Sequence, residues 1–383
     1  MSDDWSAPAT EVLRRVGERV DAAKTDAVGT DVLATVVDVA DSAYRRPGAK
    51  VLFTADGRSI GSVAAGGFET ELRPAADAVR ESGRPALRTY DLSGDASGDA
   101  PESGASTSGV VDVLLEPLTA SHRPMAEAFA AGEAVVAVTV LSTGGDALAR
   151  GDRAYYHPTN DRFEAADGDE ADWPVDDVAD VAGDLAGRDV GDVVCLDRDG
   201  DRLELFVERV AAPADCVVFG TGHDVAPVVE LAALSDLRVT VVSFREAVDV
   251  AERLPAADRT VTTSPADVRD ALDLDDRTYA VLMSHDFEAD RVAVEELLAS
   301  PVPYVGVMGP AKRAEEMLAA FGADVEGELD RLYAPVGLDL GGGSPHRTAL
   351  GVVAEVLAVH AGRDPGHLRD AGGPIHDRVD LDR

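Results

Sequence analysis

The apolar and polar positions of this chain follow two different patterns, which meet near residue 212. Before that point, an amphipathic helix over 8–24 leads into short β-branched runs separated by turn residues, as is typical of an α+β domain. After it, apolar strands alternate with helices, which predicts a Rossmann-like, mostly parallel sheet with helices on both faces. We therefore predict an N-terminal helix over 1–30, an α+β domain over 31–212 and an α/β domain over 213–383.

The same periodicities predict the individual elements. In the first part we predict strands over 31–39, 50–53, 59–63, 110–115, 134–141, 154–156 and 203–207, and helices ending near 82 and 131. In the second part we predict strands over 215–220, 238–243, 259–263, 278–284 and 304–309, and helices over 226–234, 265–273, 287–299, 311–321 and 345–361. Ser264-Pro265 and Ser344-Pro345 mark two helix starts, because each offers an N-cap followed by proline. The low-complexity run 93–109 predicts a flexible loop, and the acidic stretch 161–180 predicts a surface excursion.

The composition is strongly acidic. The chain has 72 acidic and 35 basic residues, which gives a formal charge of −37, and its apolar content is 45%. Because the acidity is spread along the chain, we interpret it as a carboxylate coat suited to a cytoplasm of very high salt. The repulsive field argues against a nucleic-acid partner, and no apolar run or leader sequence indicates a membrane or an exported protein. We expect a soluble cytoplasmic protein.

The two cysteines give no metal signature. Cys195 and Cys216 both lie in strand-like runs, so we expect both to be reduced core thiols. The chain also shows no Walker A loop and no Ser-His-Asp order. We therefore assign no catalytic residues from the sequence.

A glycine turn after the first strand of the second part is the best candidate for a ligand site. Gly220 and Gly222 sit between a β-branched run and a helix, with His223 next to them and Val225 at the third fingerprint position. Such a turn brings the chain close to a phosphate at a helix N-terminus. Two interpretations stay open: a nucleotide-type phosphate cradle, or a tight turn that binds nothing.

Other polar residues follow the predicted strands at the same edge of the sheet, where ligands gather. These candidates are His223, Ser243, Arg245, His285, Asp286 and Gly309. Ser243 stands where an acidic residue would bind a ribose 2′-hydroxyl, so with Arg245 it suits a 2′-phosphate and favours NADP(H), unless Arg245 is only a surface residue. His223 and His285 are acid–base groups, metal ligands or simple hydrogen-bonding residues. The stretch around Asp339 that ends in three glycines is either a second anion cradle or a flexible helix entry.

The first part contains one cationic cluster. Arg45, Arg46 and Lys50 lie within six residues of an otherwise acidic chain, and Gly66-Gly67 follows a nearby strand. The cluster favours an anionic ligand, with a solvated loop as the competing interpretation. From the residues alone we infer a two-part cytoplasmic protein with a phosphate-ligand crevice.

The order of these motifs resembles the XdhC/CoxI family of accessory factors for xanthine dehydrogenase-type molybdenum enzymes. In the first part the resemblance rests on RPGAK (46–50), GSV (61–63), Gly66 and Glu69. In the second part it rests on VFGTGHD (218–224), MSHD (283–286), YVGVMGP (304–310), APVGLDLG (334–341), AEVLA (354–358) and GPIH (373–376).

The resemblance implies a non-catalytic carrier that binds the molybdenum cofactor (molybdopterin), protects it during sulfuration and helps to insert it. The implied partners are a molybdenum hydroxylase apo-enzyme and a cysteine desulfurase, and the implied assembly is a homodimer. Two family cysteines are missing, since Gly67 and the pair Ser108-Gly109 stand in their places. We therefore expect arginines and helix N-termini, not thiolates, to hold the cofactor. The rival hypotheses are an NADP(H)-dependent oxidoreductase and a scaffold that binds a partner enzyme without a small ligand.

Overall fold

The computed structural model describes residues 7–22, 31–41, 45–63, 68–92, 109–185, 191–198, 201–211, 213–245, 249–321, 323–341 and 343–370. The chain forms two compact units, of which the first runs to Ala212 and the second begins at Pro213. Within the described ranges, no helix combines the length and the apolar character needed to cross a membrane. Three predicted features lie outside these ranges: Gly66-Gly67, the loop over 93–108 and the motif over 373–376.

The first unit contains two five-stranded antiparallel sheets. Their strand orders are β3-β2-β1-β5-β4 and β8-β7-β6-β10-β9. The elements, in chain order, are α1 (Ala9–Ala22), β1 (Val32–Asp41), β2 (Lys50–Phe53), β3 (Ser59–Gly61), α2 (Glu69–Ser82), β4 (Ala86–Asp91), β5 (Gly109–Pro117), α3 (Arg123–Ala131), β6 (Val135–Thr143), β7 (Arg153–His157), β8 (Arg162–Ala165), α4 (Val175–Asp184), β9 (Gly191–Arg198) and β10 (Asp201–Val210).

Alternation along the strands explains how this unit is layered. In β1, Val32, Ala34 and Val36 share one face and pack with the apolar stripe of α2, while alternate residues of β6 pack with α4 in the second sheet. The opposite faces meet in a small cluster that contains Val37 and Phe206. Helices α1 and α3 cover the remaining apolar surface. The unit is therefore an α+β domain, as predicted.

The second unit is a six-stranded parallel sheet in the order β13-β12-β11-β14-β15-β16. Its elements are β11 (Asp215–Phe219), α5 (Val225–Leu234), β12 (Arg238–Ser243), α6 (Val250–Arg253), β13 (Arg259–Thr262), α7 (Val268–Ala271), β14 (Thr278–Leu282), α8 (Phe287–Leu298), β15 (Tyr304–Val307), α9 (Ala311–Ala320), β16 (Leu332–Tyr333) and α10 (Pro345–His360). One core joins the sheet to α5 and α10, and another joins it to α8 and α9. This is the strand order of a Rossmann domain, so the predicted fold class is confirmed.

Four local predictions are wrong. The acidic stretch 161–180 is not an excursion, because it contains β8 and the start of α4 and buries Trp173 and Val178. Strand β4 was not predicted, and β9 was indicated only by the strand-like run around Cys195. The helix over 265–273 is only a short 3-10 turn followed by the four residues of α7. Cys216 is buried as expected, but Cys195 is exposed.

Candidate functional site

The glycine turn of the second unit follows β11 and meets the end of β14. Gly220 has a φ of 140°, and its N–H donates to the carbonyl of Val242. A Cβ added to Gly220 would lie 2.5 Å from the carbonyl oxygen of Met283. Only glycine therefore lets these two strand ends approach so closely, which is the role of the first glycine in a nucleotide-binding turn.

A carboxylate and an imidazole lie over this turn. The Nε2 atom of His285 and the Oδ2 atom of Asp224 are 2.9 Å apart. His285 has a φ of 63°, and both residues lie against Gly222, where an added Cβ would collide with Asp224. The Asp224 carboxylate places negative charge at the start of α5, where a bound phosphate would be expected. The turn is thus suited to groups that donate hydrogen bonds to a carboxylate, and the charge of Asp224 disfavours a phosphate beside it.

A second polar network lies at the ends of β14 and β15. The carboxylate of Asp290 is 1% exposed and accepts hydrogen bonds from Ser284 Oγ (2.5 Å) and Arg313 Nη2 (2.7 Å). Burial raises the pKa of Asp290, although Ser284 and Arg313 oppose that shift. The guanidinium of Arg313 also lies 5.6 Å from the ring centroid of Phe287.

Two predicted site residues, Gly309 and Asp286, lie next to this network and shape the backbone around it. Gly309 has a φ of 150°, and a Cβ there would lie 2.7 Å from Cδ of Arg313. Asp286 accepts a hydrogen bond from the N–H of Ala289 and so caps α8. Arg313 was not among the predicted site residues, although a basic residue in the first turn after Gly309 is a signal that could have identified it.

The other candidates of this unit form contacts within their own turns. The Ser243 hydroxyl is buried, donates to the carbonyl of Arg245 and accepts from its N–H. Asp339 accepts from the N–H of Gly341. The side chains of His223 and Arg245 are exposed. The structure thus brings together Gly220, Gly222 and His285, whereas the role of Ser243 and Arg245 toward a 2′-phosphate stays a prediction.

In the first unit, hydrogen bonds join the β1–β2 turn to the end of β3 and the start of α2. Arg45 Nε donates to the carbonyl of Ser62 (3.0 Å), and Ser62 Oγ donates to Glu69 Oε1 (2.6 Å). The same Glu69 oxygen accepts from the N–H of Val63. Glu69 therefore joins Ser62 and Val63 to the start of α2. The predicted Gly66-Gly67 segment lies outside the described residues.

Lys50 differs from the two arginines of its predicted cluster. Its Nζ atom donates to both carboxylate oxygens of Glu208, at 2.6 and 2.7 Å, and both residues are buried, with exposures of 9% and 5%. Nζ also lies 3.3 Å from the carbonyl of Gly48. The Arg46 side chain is exposed. Lys50 is thus part of an internal ion pair rather than a surface cation, because a partner distant in sequence buries its charge.

A matching buried pair lies elsewhere in the first unit. Arg153 Nη2 donates to Glu116 Oε2 at 2.5 Å, and the imidazole of His122 is 3.8 Å from the same oxygen. Burial disfavours the Glu116 carboxylate, but Arg153 and His122 outweigh burial and lower its pKa to about 2. Burial, aided by Arg153, lowers the pKa of His122.

The thiols have different environments. Burial, with a smaller effect of Asp215, raises the pKa of Cys216 to about 12. The Cys195 thiol is exposed and accepts from Arg202 Nη2. In the part of the chain that the structure describes, no three His, Cys, Asp or Glu residues are arranged to hold a metal ion.

Both units of the chain are similar to known proteins. Residues 216–356 match the model of the XdhC Rossmann domain, and residues 27–91 match that of the XdhC and CoxI family. The chain is 26% identical over 330 residues to a Bacillus subtilis (strain 168) protein named as a probable xanthine dehydrogenase component, covering 85% of this chain and 92% of that protein. It is 24% identical over 163 residues to the uncharacterized protein YqeB of Escherichia coli (strain K12), covering 42% and 30%.

A solved structure resembles the chain over most of its length. It is a crystal structure of a xanthine dehydrogenase from Bacillus halodurans, with a TM-score of 0.70 and 26% sequence identity. The match covers 95% of this chain and 97% of that chain.

Proposed function

Because the chain belongs to the XdhC and CoxI family, we propose that it is an accessory factor of a xanthine dehydrogenase or CO dehydrogenase-type molybdenum hydroxylase. In this proposal it binds the molybdenum cofactor, assists its sulfuration and helps to insert it into the apo-enzyme. The supporting observation is that the two family models fall on both units and that two of the matched relatives are named as xanthine dehydrogenase or a component of it. A cysteine desulfurase and a second copy of this chain are further proposed partners.

Each unit, taken by itself, offers a group that suits a pterin cofactor. The exposed Arg46, next to the anchored Arg45, suits a terminal phosphate, which arginine recognises through paired N–H groups. In the other unit, the Asp224 carboxylate beside His285 suits the N–H donors of an aminopyrimidinone edge. Cys216 is buried with a raised pKa, so it is a poor molybdenum ligand.

The direct test is to identify the small molecule that copurifies with the protein. Protein made in a molybdenum-replete host should release a fluorescent pterin after oxidation, and Arg46→Ala should release much less. Arg58→Ala is the matched control, because Arg58 lies in the next turn of the same sheet and pairs with Asp56. Absence of pterin from the wild type, together with no effect of added protein on reconstitution of the apo-hydroxylase, would refute the proposal.

A second candidate function is an NADP(H)-dependent oxidoreductase, which the close approach of Gly220 to β14 and the Rossmann strand order favour. Calorimetric titration at matched salt would then show tighter binding of NADP(H) than of NAD(H), with the difference lost in Arg245→Ala. If neither pterin nor dinucleotide binds, the scaffold hypothesis remains.

A further inference from the structure

The first unit contains the same succession of elements twice. The order helix, three strands, helix, two strands occurs once from α1 to β5 and again from α3 to β10. The two sheets also have the same strand order, because β6 to β10 occupy the places in the second sheet that β1 to β5 occupy in the first. The family model that matches residues 27–91 falls entirely within the first of these two copies.

The residue pairings of the two copies coincide. In the first sheet Thr35 pairs with Lys50 and Leu33 pairs with Glu116. In the second sheet the corresponding pairs are Thr139 with Arg153 and Ala137 with Glu208.

An irregularity is repeated as well. The register of β1 on β5 shifts just after Val36, and that of β6 on β10 shifts just after Val140. Two independent sheets would not share a bulge at the same position by chance, since a bulge is a specific local feature.

The turns before β2 and β7 are also equivalent. Gly48 has a φ of 99° and donates to the carbonyl of Val36, while Gly151 has a φ of 89° and donates to the carbonyl of Val140. In each turn the next residue donates to the carbonyl three positions back, which belongs to Arg46 in the first copy and to Ala149 in the second. Arg46 therefore has an alanine as its counterpart.

The two copies are joined by reciprocal ion pairs. Lys50 of the first copy binds Glu208 of the second, and Arg153 of the second binds Glu116 of the first. Each carboxylate also lies next to the turn of the other copy, because a Cβ on Gly48 would be 3.5 Å from Glu208 and one on Gly151 would be 3.5 Å from Glu116. The copies thus exchange equivalent contacts around a pseudo-twofold axis.

We infer that residues 123–210 are a second copy of the module that carries the family signature, and that only the first copy presents a phosphate-binding arginine. Lys50 and Glu208 are positioning residues: their ion pair, together with the bond from Lys50 to the Gly48 carbonyl, fixes the turn that carries Arg46. Arg153 and Glu116 fix the equivalent turn, which carries Ala149 in place of Arg46. The adjacent Arg150 donates from Nε to the carbonyl of Leu141 (2.6 Å), as Arg45 does to the carbonyl of Ser62. We call the two ion pairs, Lys50–Glu208 and Arg153–Glu116, the clamps of their turns. The phosphate assignment rests on the proposed function, but the duplication and the two clamps do not.

Residue-resolved hydrogen exchange tests the clamps without any ligand. Lys50→Met should speed exchange of the Gly48 amide about tenfold more than that of the Gly151 amide, because the broken clamp opens its own turn. Arg153→Met should speed exchange of the Gly151 amide more than that of the Gly48 amide. Lys50→Arg, which keeps the charge, should leave both exchange rates close to those of the wild type. If single variants fail to fold, Lys50→Met with Glu208→Met removes both charges and tests the same asymmetry. Equal acceleration of both amides in every variant would show global destabilisation and would overturn the inference.

Binding of inorganic phosphate, measured by phosphorus NMR at matched ionic strength, tests the ligand assignment. Arg46→Ala and Lys50→Met should each weaken binding about tenfold, which is the loss of one charge-assisted contact. Arg153→Met should leave the affinity within about twofold of wild type. If Arg153→Met weakens binding as much as Lys50→Met, the positioning role is wrong. If wild-type protein binds no phosphate, the anchor in the proposed function fails, while the exchange experiment still decides the clamps.

Discussion

Replacing Glu116 with Gln should destabilise the protein strongly at neutral pH and very little in acid. Glu116 is 2% exposed, and Arg153 and His122 overcome the cost of burial and hold its pKa at about 2 instead of 4.5. At 1.36 kcal/mol per pKa unit, this shift corresponds to roughly 3 kcal/mol of folding free energy. Loss of the carboxylate also leaves the buried Arg153 guanidinium without its counter-charge, so a cost of about this size is expected.

The sign of the pH dependence follows from the direction of the shift. The folded-state pKa of Glu116 is depressed, so its contribution is complete above the unfolded value of 4.5 and is lost as pH falls toward about 2. Urea unfolding of wild type and Glu116→Gln at a series of pH values between 7 and 2.5 should show a gap that closes on acidification.

Two controls separate this effect from general acid sensitivity. Glu127→Gln changes an exposed glutamate of α3 and should alter the unfolding free energy by less than about 0.5 kcal/mol. Glu116→Gln with Arg153→Met removes both charges and should recover part of the loss. A gap below about 1 kcal/mol at pH 7, or a gap that does not shrink in acid, would refute the reasoning.

Three further predictions concern single sites. Gly220→Ala should lower the unfolding free energy, measured by thermal melts, by about 2 kcal/mol or more, since the added Cβ would collide with the end of β14. The control is Gly183→Ala in the open face of α4, which should be neutral or stabilising in the same melts. A thiol reagent at pH 8 should modify Cys195 rapidly and Cys216 only after denaturation, because Cys216 is buried with its pKa raised to about 12. Equal modification rates of the two thiols in the folded protein would contradict this. Ser344→Ala should cost about 1 kcal/mol, because its hydroxyl caps α10; an unchanged denaturant midpoint would argue against the cap.

The sequence predicted those elements whose signal is local. Ser344 caps α10 as its Ser-Pro pair indicates, and the alternating strands and helices of the second unit appear where the apolar runs stand. Ser264-Pro265 has the same signature but leads to a shorter helical segment, a 3-10 turn followed by α7, and the Ser264 hydroxyl bonds the Asp267 side chain. Strand β4 was missed because none of its residues is buried and they form no apolar run.

The rest depended on contacts between residues far apart in the chain. Lys50 looks like a surface cation beside Arg46 in the sequence, yet its partner Glu208 lies in β10. The pairing of Asp224 with His285 likewise requires β11 and β14 to be neighbours in the sheet. Trp173 was not predicted as a core residue because acidic residues surround it in the sequence, yet it packs in the core beneath α4.

The exchange of ion pairs between the two copies also constrains how the protein can be synthesised. Strand β1 needs β5 as its neighbour, and the Lys50 ammonium gains its counter-charge only when β10 has left the ribosome. Until then Lys50, which is buried in the folded unit, remains hydrated, so the nascent first copy cannot complete its packing. An expression fragment that stops before β10 should therefore be retained by chaperones or precipitate, and fusion tags belong at the chain ends rather than between the two copies.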